Sequence, residues 1–193
     1  MEFVTKLGII ILYLQANLKK AMKKILILSF LLCCCLSGFA QQPLECSFTQ
    51  TRTIRASGKV FQAKGAVSFT APDQLTMTYA EPAGEYLVIS GPMLRSNTQG
   101  QQISIDTDKN ARFRVLRNTL LNCIVGAYEQ AAKDNDADLT VSEKNGVKTV
   151  SMKARKAAPR GYSQILMEYV KGLPVRMVLE EFGGISTEYL FKY

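Results

Sequence analysis

The strongest constraint on this fold is a series of short stretches in which apolar and polar residues alternate, separated by turn-forming residues. The clearest stretch is 75–80, LTMTYA, which places Leu75, Met77 and Tyr79 on one side and two threonines on the other. Such a period of two is typical of a β-strand with one buried face. The same reasoning predicts strands at 46–55, 60–70, 75–80, 85–90, 101–106, 138–144, 147–155, 162–170, 174–182 and 185–192.

The connections between these stretches predict an antiparallel sheet. Asn145-Gly146 separates two of them, and this dipeptide is the strongest short-range signal for a β-hairpin. Strands joined by short turns need no crossover connection, so the sheet is expected to be antiparallel and strongly twisted. The sequence indicates no repeat and no second unit, so 41–193 is expected to form a single domain.

One segment, 111–133, has a helical period instead. Apolar residues recur at steps of three and four from Leu116 to Ala127, which predicts one amphipathic helix, or two broken near Asn118 or Gly126. A sheet with one apolar face beneath an apolar helix is compatible with a filled core and equally with a shell around a lipid.

The first 40 residues predict a targeting segment. Lys23 and Lys24 precede an apolar run at 25–36, and Gly38 and Ala40 supply the small residues of a cleavage site. The run is too short to cross a bilayer, which requires about 20 apolar residues. We therefore expect an exported chain that is cleaved between Ala40 and Gln41.

The segment 1–21 contains a second short apolar run, and we interpret it as an extension before a true start at Met22. The alternative is a membrane anchor made from both runs, which the lysines between them disfavour. The cysteines at 33–35 lack the small preceding residue of a lipoprotein box. Cys46 and Cys123 remain after cleavage, either as a disulfide or, as we favour, as two small buried thiols.

The composition excludes several classes of protein. The chain has no His, which removes imidazole-based metal sites and the common catalytic triads. We expect no enzyme, no metal and no cofactor. Asp134, Asp136 and Asp138 resemble the start of a calcium loop, but Leu139 and Asn145 occupy the positions that require Gly and Glu.

The chain carries 24 Lys and Arg against 16 Asp and Glu, a net charge of +8. Three of the basic residues, Arg112, Arg114 and Arg117, lie at the predicted start of the helix. We interpret them mainly as a solvated face, with docking to an acidic membrane or partner as the alternative. The charges lack interleaved aromatic residues, so no nucleic-acid partner is expected.

The order of motifs resembles the LolA family, periplasmic carriers of outer-membrane lipoproteins. Ser47-Phe48-Thr49-Gln50 resembles the opening F-x-Q strand of that family, and GAVSFTAP at 65–72 resembles its G-x-hydrophobic-x-hydrophobic-x-x-P stretch. DQLTMTYAEP at 73–82 and LVISG at 87–91 resemble the two strands that follow. The resemblance covers about 45–193, nearly the whole chain after the targeting segment.

The resemblance implies a strongly curved antiparallel sheet forming an open half-barrel, covered by lid helices. It also implies a monomeric, non-catalytic periplasmic carrier of acylated lipoproteins or related lipids. An inner-membrane ABC-type complex that releases lipoproteins is the implied donor, and an outer-membrane protein is the implied acceptor. The alternative is a secreted module of the same fold that senses lipids or envelope proteins.

Two features depart from the family pattern. The substantial helix that precedes the F-x-Q strand in the family is missing or reduced here. Ala71 stands where the best-known members have an Arg that latches the lid.

The residues expected to line an acyl-binding cavity come from the alternating strands and from the helix. An equally simple interpretation is that they fill an ordinary core. The sheet residues are Val67, Phe69, Leu75, Met77, Tyr79, Leu87 and Ile89, and the lid residues are Leu116, Leu120, Ile124 and Val125.

Overall fold

The computed structural model describes residues 43–157 and 161–193, which form one antiparallel sheet of eleven strands with two α-helices. The expected targeting segment and the question of the starting Met lie outside the described residues. The strands are β1 (Leu44–Ile54), β2 (Lys59–Thr70), β3 (Gln74–Glu81), β4 (Tyr86–Ser90), β5 (Met93–Thr98), β6 (Gln101–Asp106), β7 (Ala137–Lys144), β8 (Val147–Ala154), β9 (Tyr162–Val170), β10 (Leu173–Glu181) and β11 (Ile185–Lys192).

The sheet is a meander whose two halves meet at β1. Strand β1 pairs with β2 on one side and with the last strand, β11, on the other. The order across the sheet is β6-β5-β4-β3-β2-β1-β11-β10-β9-β8-β7, so β6 and β7 form the two edges. The sheet is open and not closed into a barrel, which confirms the predicted half-barrel.

The helical segment connects the two edges of the sheet. A 3-10 turn (Thr107–Lys109) follows β6, and then come α1 (Ala111–Ile124) and α2 (Tyr128–Asp134) before β7 begins. We call α1 and α2 the lid. In the described part of the chain, neither helix is long and apolar enough to cross a membrane.

Local signals explain where α1 begins and ends. The side chain of Asn110 accepts a 3.4 Å hydrogen bond from the main-chain N–H of Phe113, which caps the first turn. Gly126 has a φ of +75°, which favours glycine, and it separates α1 from α2. Of the predicted alternatives, two helices broken at Gly126 is therefore confirmed.

Most strands match the predicted stretches, and the Asn145-Gly146 turn joins β7 to β8 as expected. Strand β5 was missed, because Leu94 is the only strongly apolar side chain of its MLRSNT stretch that is buried. The burial of Leu94 follows from strand pairing and not from alternation within β5, because Leu94 lies opposite Ile89 on β4 and Ile105 on β6.

One face of the sheet is buried and apolar, and we call it the apolar face. Its buried side chains form one continuous cluster with the inward side of the lid. The sheet contributes Phe48, Val67, Phe69, Leu75, Met77, Ile89, Leu94, Ala137, Val150, Met152, Ile165, Met167, Tyr169, Met177 and Leu179. The lid contributes Leu120, Leu121, Cys123, Ala131 and Ala132.

Candidate functional site

Methionine side chains are concentrated on the apolar face. Met77, Met152, Met167 and Met177 belong to four different strands, and each is at most 6% exposed. Methionine is flexible and polarisable, so it packs against contacts of varying shape. This part of the sheet therefore offers an apolar surface that can repack against more than one partner.

An aromatic group occupies the centre of the apolar face. The ring of Phe48 lies 5.1 Å from that of Tyr79 in an edge-on arrangement and 6.0 Å from that of Tyr189. Gly65, opposite Phe48 on β2, makes this packing possible, because a Cβ there would lie 2.8 Å from the Phe48 ring. Burial raises the pKa of Tyr79 and of Tyr189, and the two hydroxyl groups interact with each other.

A hydrogen bond near the C-terminal end of α1 joins the lid to β9. The Tyr169 hydroxyl on β9 donates a 2.7 Å hydrogen bond to the main-chain oxygen of Cys123. The ring of Tyr128 on α2 lies 6.3 Å from that of Tyr169. These contacts place the lid over the half of the sheet that contains β7 to β10.

A second anchor ties α1 to the other half of the sheet through Arg117. Its guanidinium donates to the Thr107 side chain at 2.8 Å, to Asp108 at 3.3 Å and to the main-chain oxygen of Gly91 at 3.4 Å. The Arg117 side chain is only 16% exposed. Arg117 was predicted to lie on a solvated face, and this prediction is wrong because the β4–β5 turn and the 3-10 turn surround it.

Ala71 stands at the position expected to carry an Arg that latches the lid, so the contacts of Arg117 are of interest as another attachment. The Ala71 side chain packs against the core and has no group that could hold the lid. Arg117 instead connects α1 to the β4–β5 turn and to the 3-10 turn through hydrogen bonds. The lid of this chain is therefore fastened from the helix side.

A groove opens between the start of α1 and the adjacent strand ends, with a volume of about 430 Å³. This volume lies within the range of about 300–1,000 Å³ that is usual for small-molecule sites. We call it the mouth groove. Its apolar wall consists of Phe113, Val115, Leu116, Tyr162 and Phe182.

Charged residues surround the rim of the mouth groove. Arg112 and Lys156 lie beside Asp134, Asp136 and Glu181. Burial raises the pKa of Tyr162 to about 12, and the carboxylate of Glu181 adds to this effect. The groove thus combines an apolar wall with a rim of both charge signs, an arrangement suited to an amphiphile.

The predicted acyl-binding residues fall into three groups in the structure. Val67, Phe69, Leu75, Met77, Ile89 and Leu120 are buried in one cluster, and Tyr79, Leu87, Leu116 and Ile124 are partly buried against it. Of the eleven, Leu116 alone also lines the mouth groove. Val125 is 53% exposed beyond the end of α1 and lies apart from the cluster. Whether these residues contact a ligand stays a prediction.

The residues that β8 to β10 contribute to the apolar face were not among the predicted site residues. The alternation in 162–170 was a usable signal, because it places Ile165, Met167 and Tyr169 on one side. Phe48 was noted only as part of a motif, although it is 2% exposed and central to the face.

The two cysteines in the described residues are free thiols, Cys46 half-buried and Cys123 buried. Burial raises the pKa of Cys123 to about 12, which makes it a poor nucleophile in the folded protein. No cluster of three potential metal-ligating side chains occurs within 43–157 and 161–193.

The fold and the apolar site agree with the result of sequence comparison. Residues 41–193 match the family described as "Outer membrane lipoprotein carrier protein LolA". This chain belongs to the LolA family, whose proteins are carriers located in the periplasm. No curated protein sequence is similar enough to this chain to count as a match.

Solved structures include distant matches. A LolA superfamily protein from Nitrosomonas europaea has 9% identity and a TM-score of 0.38, with 80% of this chain and 86% of that chain covered. A putative outer membrane lipoprotein-sorting protein domain from Vibrio parahaemolyticus has 8% identity and a TM-score of 0.38, with 77% and 83% covered. Lipoprotein LppX from Mycobacterium tuberculosis has 13% identity and a TM-score of 0.37, with 79% and 86% covered.

Proposed function

We propose that this chain carries acylated molecules, either lipoproteins or related lipids, through the periplasm without catalysing a reaction. The observation that supports this most directly is the continuous apolar face of an open sheet, covered by helices that join its two edges. Family membership supports a carrier role, and the mouth groove provides an opening beside α1.

A carrier is needed because acyl chains are costly to expose to water. Each methylene group moved from an apolar environment into water costs about 0.8 kcal/mol, so a cargo with several chains costs tens of kcal/mol. A site that covers the chains completely would also hold them too firmly for release. The four buried methionines favour both coverage and release of the acyl chains, because their flexible side chains can pack against either the cargo or the lid.

When cargo is loaded, its acyl chains replace the apolar side chains of α1 that cover the sheet. In the closed form, Leu120 and Leu121 of α1 pack against the buried face of the sheet. If acyl chains replace these side chains, the apolar area removed from water changes little, and the hydrophobic free energy of the two states is similar. The polar ties at Arg117 and Tyr169 then set how readily the lid moves.

In this proposal the protein is an exported monomer that acts between two membranes. Its signal peptide is removed after Ala40, an inner-membrane ABC-type complex supplies the cargo, and an outer-membrane acceptor receives it. The bound chains contact the eleven residues predicted from the sequence, except for the exposed Val125.

The proposal is tested by native mass spectrometry of the protein purified from cells, followed by lipid extraction. We expect bound masses that correspond to acylated peptides or lipids. We also expect the emptied protein to take up a synthetic palmitoylated peptide at one molecule per chain. A protein that carries no acyl mass and takes up no such peptide would contradict the carrier role.

A further inference from the structure

A polar side chain with an unsatisfied oxygen lies on the mostly apolar face of the sheet. The Oε1 atom of Gln50 is buried, and it has no hydrogen-bond partner among the described residues. Asn97 Oδ1 is the only other such side-chain atom in 43–157 and 161–193, and its amide nitrogen bonds to the main-chain oxygen of Gly84. A buried acceptor without a partner costs about 1–3 kcal/mol, so its presence on the apolar face needs a reason.

The register of the sheet shows which side chains surround Gln50. Alternation along β1 places Gln50 on the same face as Phe48, which is 2% exposed. Its neighbours across the strands are Ala63 on β2 and Tyr189 on β11. Ala63 has no polar group, and the hydroxyl of Tyr189 interacts with that of Tyr79. Neither neighbour donates a hydrogen bond to Gln50 Oε1.

We propose, on the basis of the carrier function above, that Gln50 binds the amide N–H at the head of an N-acylated cargo chain. Oε1 is an acceptor, so it requires a ligand with a donor hydrogen. An ammonium group carries a charge that burial in an apolar interior disfavours, whereas an amide is neutral and directly adjoins the acyl chain. Lipids whose chains are joined only by esters offer acceptors at this position and leave Oε1 unsatisfied.

Tyr189 provides the complementary group. It lies directly opposite Gln50, where side chains of paired antiparallel strands have Cβ atoms about 4.5–5.5 Å apart. Its pKa is raised well above the ordinary value by burial, so the hydroxyl keeps its proton at neutral pH and can donate. Gln50 and the Tyr79–Tyr189 pair thus place an acceptor and hydroxyl donors side by side, which matches the N–H and C=O of an amide.

The test compares two probes that differ in one atom. The first is a palmitoyl-glycyl peptide, which has an amide N–H beside the chain, and the second is its palmitoyl-glycolyl analogue, in which an ester oxygen replaces that N–H. We expect the protein to bind the amide probe about tenfold more tightly than the ester probe, because only the amide satisfies Oε1.

Two variants identify the residue responsible. Gln50→Met keeps the length of the side chain without its polar atoms, so both probes should bind it with the affinity of the ester probe. Its melting temperature should be no lower than that of the original protein, because an unsatisfied acceptor has been removed. Gln164→Met is the matched control, because the Gln164 amide donates a 2.8 Å hydrogen bond to Ser151 on the opposite face.

Three results would overturn the assignment. Equal affinity of the original protein for the two probes would show that Gln50 does not bind the amide N–H. The same conclusion would follow if Gln50→Met kept the preference for the amide probe. A marked fall in the melting temperature of Gln50→Met would show that the amide serves the fold. In these cases binding of palmitoyl chains would leave the carrier function standing, whereas binding of neither probe would remove both proposals.

Discussion

The hydroxyl group of Tyr169 on β9 lies 2.7 Å from the main-chain oxygen of Cys123, near the end of α1. This hydrogen bond ties the lid to the sheet at the edge of the apolar face. Among the described residues, the Cys123 oxygen accepts one further and longer hydrogen bond, at 3.4 Å from the main-chain N–H of Gly126. The Tyr169 hydroxyl is therefore the principal donor to this carbonyl.

Replacing Tyr169 with Phe should destabilise the protein by about 1 kcal/mol, because it leaves a buried carbonyl poorly satisfied. Chemical denaturation followed by circular dichroism measures this loss. The control is Tyr128→Phe, since the described residues supply no hydrogen bond to the Tyr128 hydroxyl although its ring lies 6.3 Å from that of Tyr169. Equal stability of the two variants would show that the bond does not hold the lid.

Leu116→Glu should weaken the binding of a palmitoylated peptide by about tenfold or more, because it places a charge in the apolar wall of the mouth groove. Val125→Glu adds the same charge at a position that is 53% exposed, and it should leave binding unchanged. Displacement of a fluorescent fatty acid measures both affinities. If the two variants bind alike, the groove does not take part in loading.

Arg117→Ala should loosen the lid, since it removes the tie from α1 to Thr107 and to the β4–β5 turn. The readout is the rate at which a maleimide labels Cys123, which lies on the inward side of α1 and is 1% exposed. Labelling should be about tenfold faster, because such charged hydrogen bonds contribute about 1.5–3 kcal/mol. Arg114→Ala is the control, because Arg114 is exposed and makes one 3.3 Å bond to the Asp108 main chain. Unchanged labelling in Arg117→Ala would show that Arg117 does not restrain the lid.

The protein should lose stability in alkali. Burial raises the pKa of Tyr162 from 10.0 to about 12, so the folded state holds this proton more tightly than the unfolded chain does. The contribution is complete below pH 10 and is lost as the pH rises from 10 towards 12. Melting temperatures measured over this range should fall, and Tyr162→Phe should reduce the fall. A constant melting temperature up to pH 12 would contradict the burial of the hydroxyl.

Much of the fold follows from patterns along the sequence. The alternation of Leu75, Met77 and Tyr79 predicted a strand with one buried side, and Gly126 was one of the two predicted breaks in the helical segment. Strand β5 could not be predicted in this way, because its position depends on pairing with β4 and β6 rather than on its own residues.

Only part of the candidate site could be predicted, because the rest of it also depends on contacts between distant parts of the sequence. The sheet residues of β2 to β4 follow from local alternation, whereas the pairing of β1 with β11 brings together parts of the chain that are far apart in sequence. The mouth groove is formed by the ends of several elements, so no single pattern indicates it. The predicted helical period ran from Leu116 to Ala127, but α1 ends at Ile124 and leaves the side chain of Val125 in solvent.

The proposed carrier function requires acyl chains to enter the space between the lid and the apolar face. The most direct measurement is photo-crosslinking with a palmitoylated peptide that has a diazirine at the end of its chain, followed by mapping of the labelled residues. We predict labels on the buried face, at Met77, Met152, Met167 or Met177. Labels confined to exposed apolar residues such as Val60 and Phe61 would contradict binding between the lid and the apolar face.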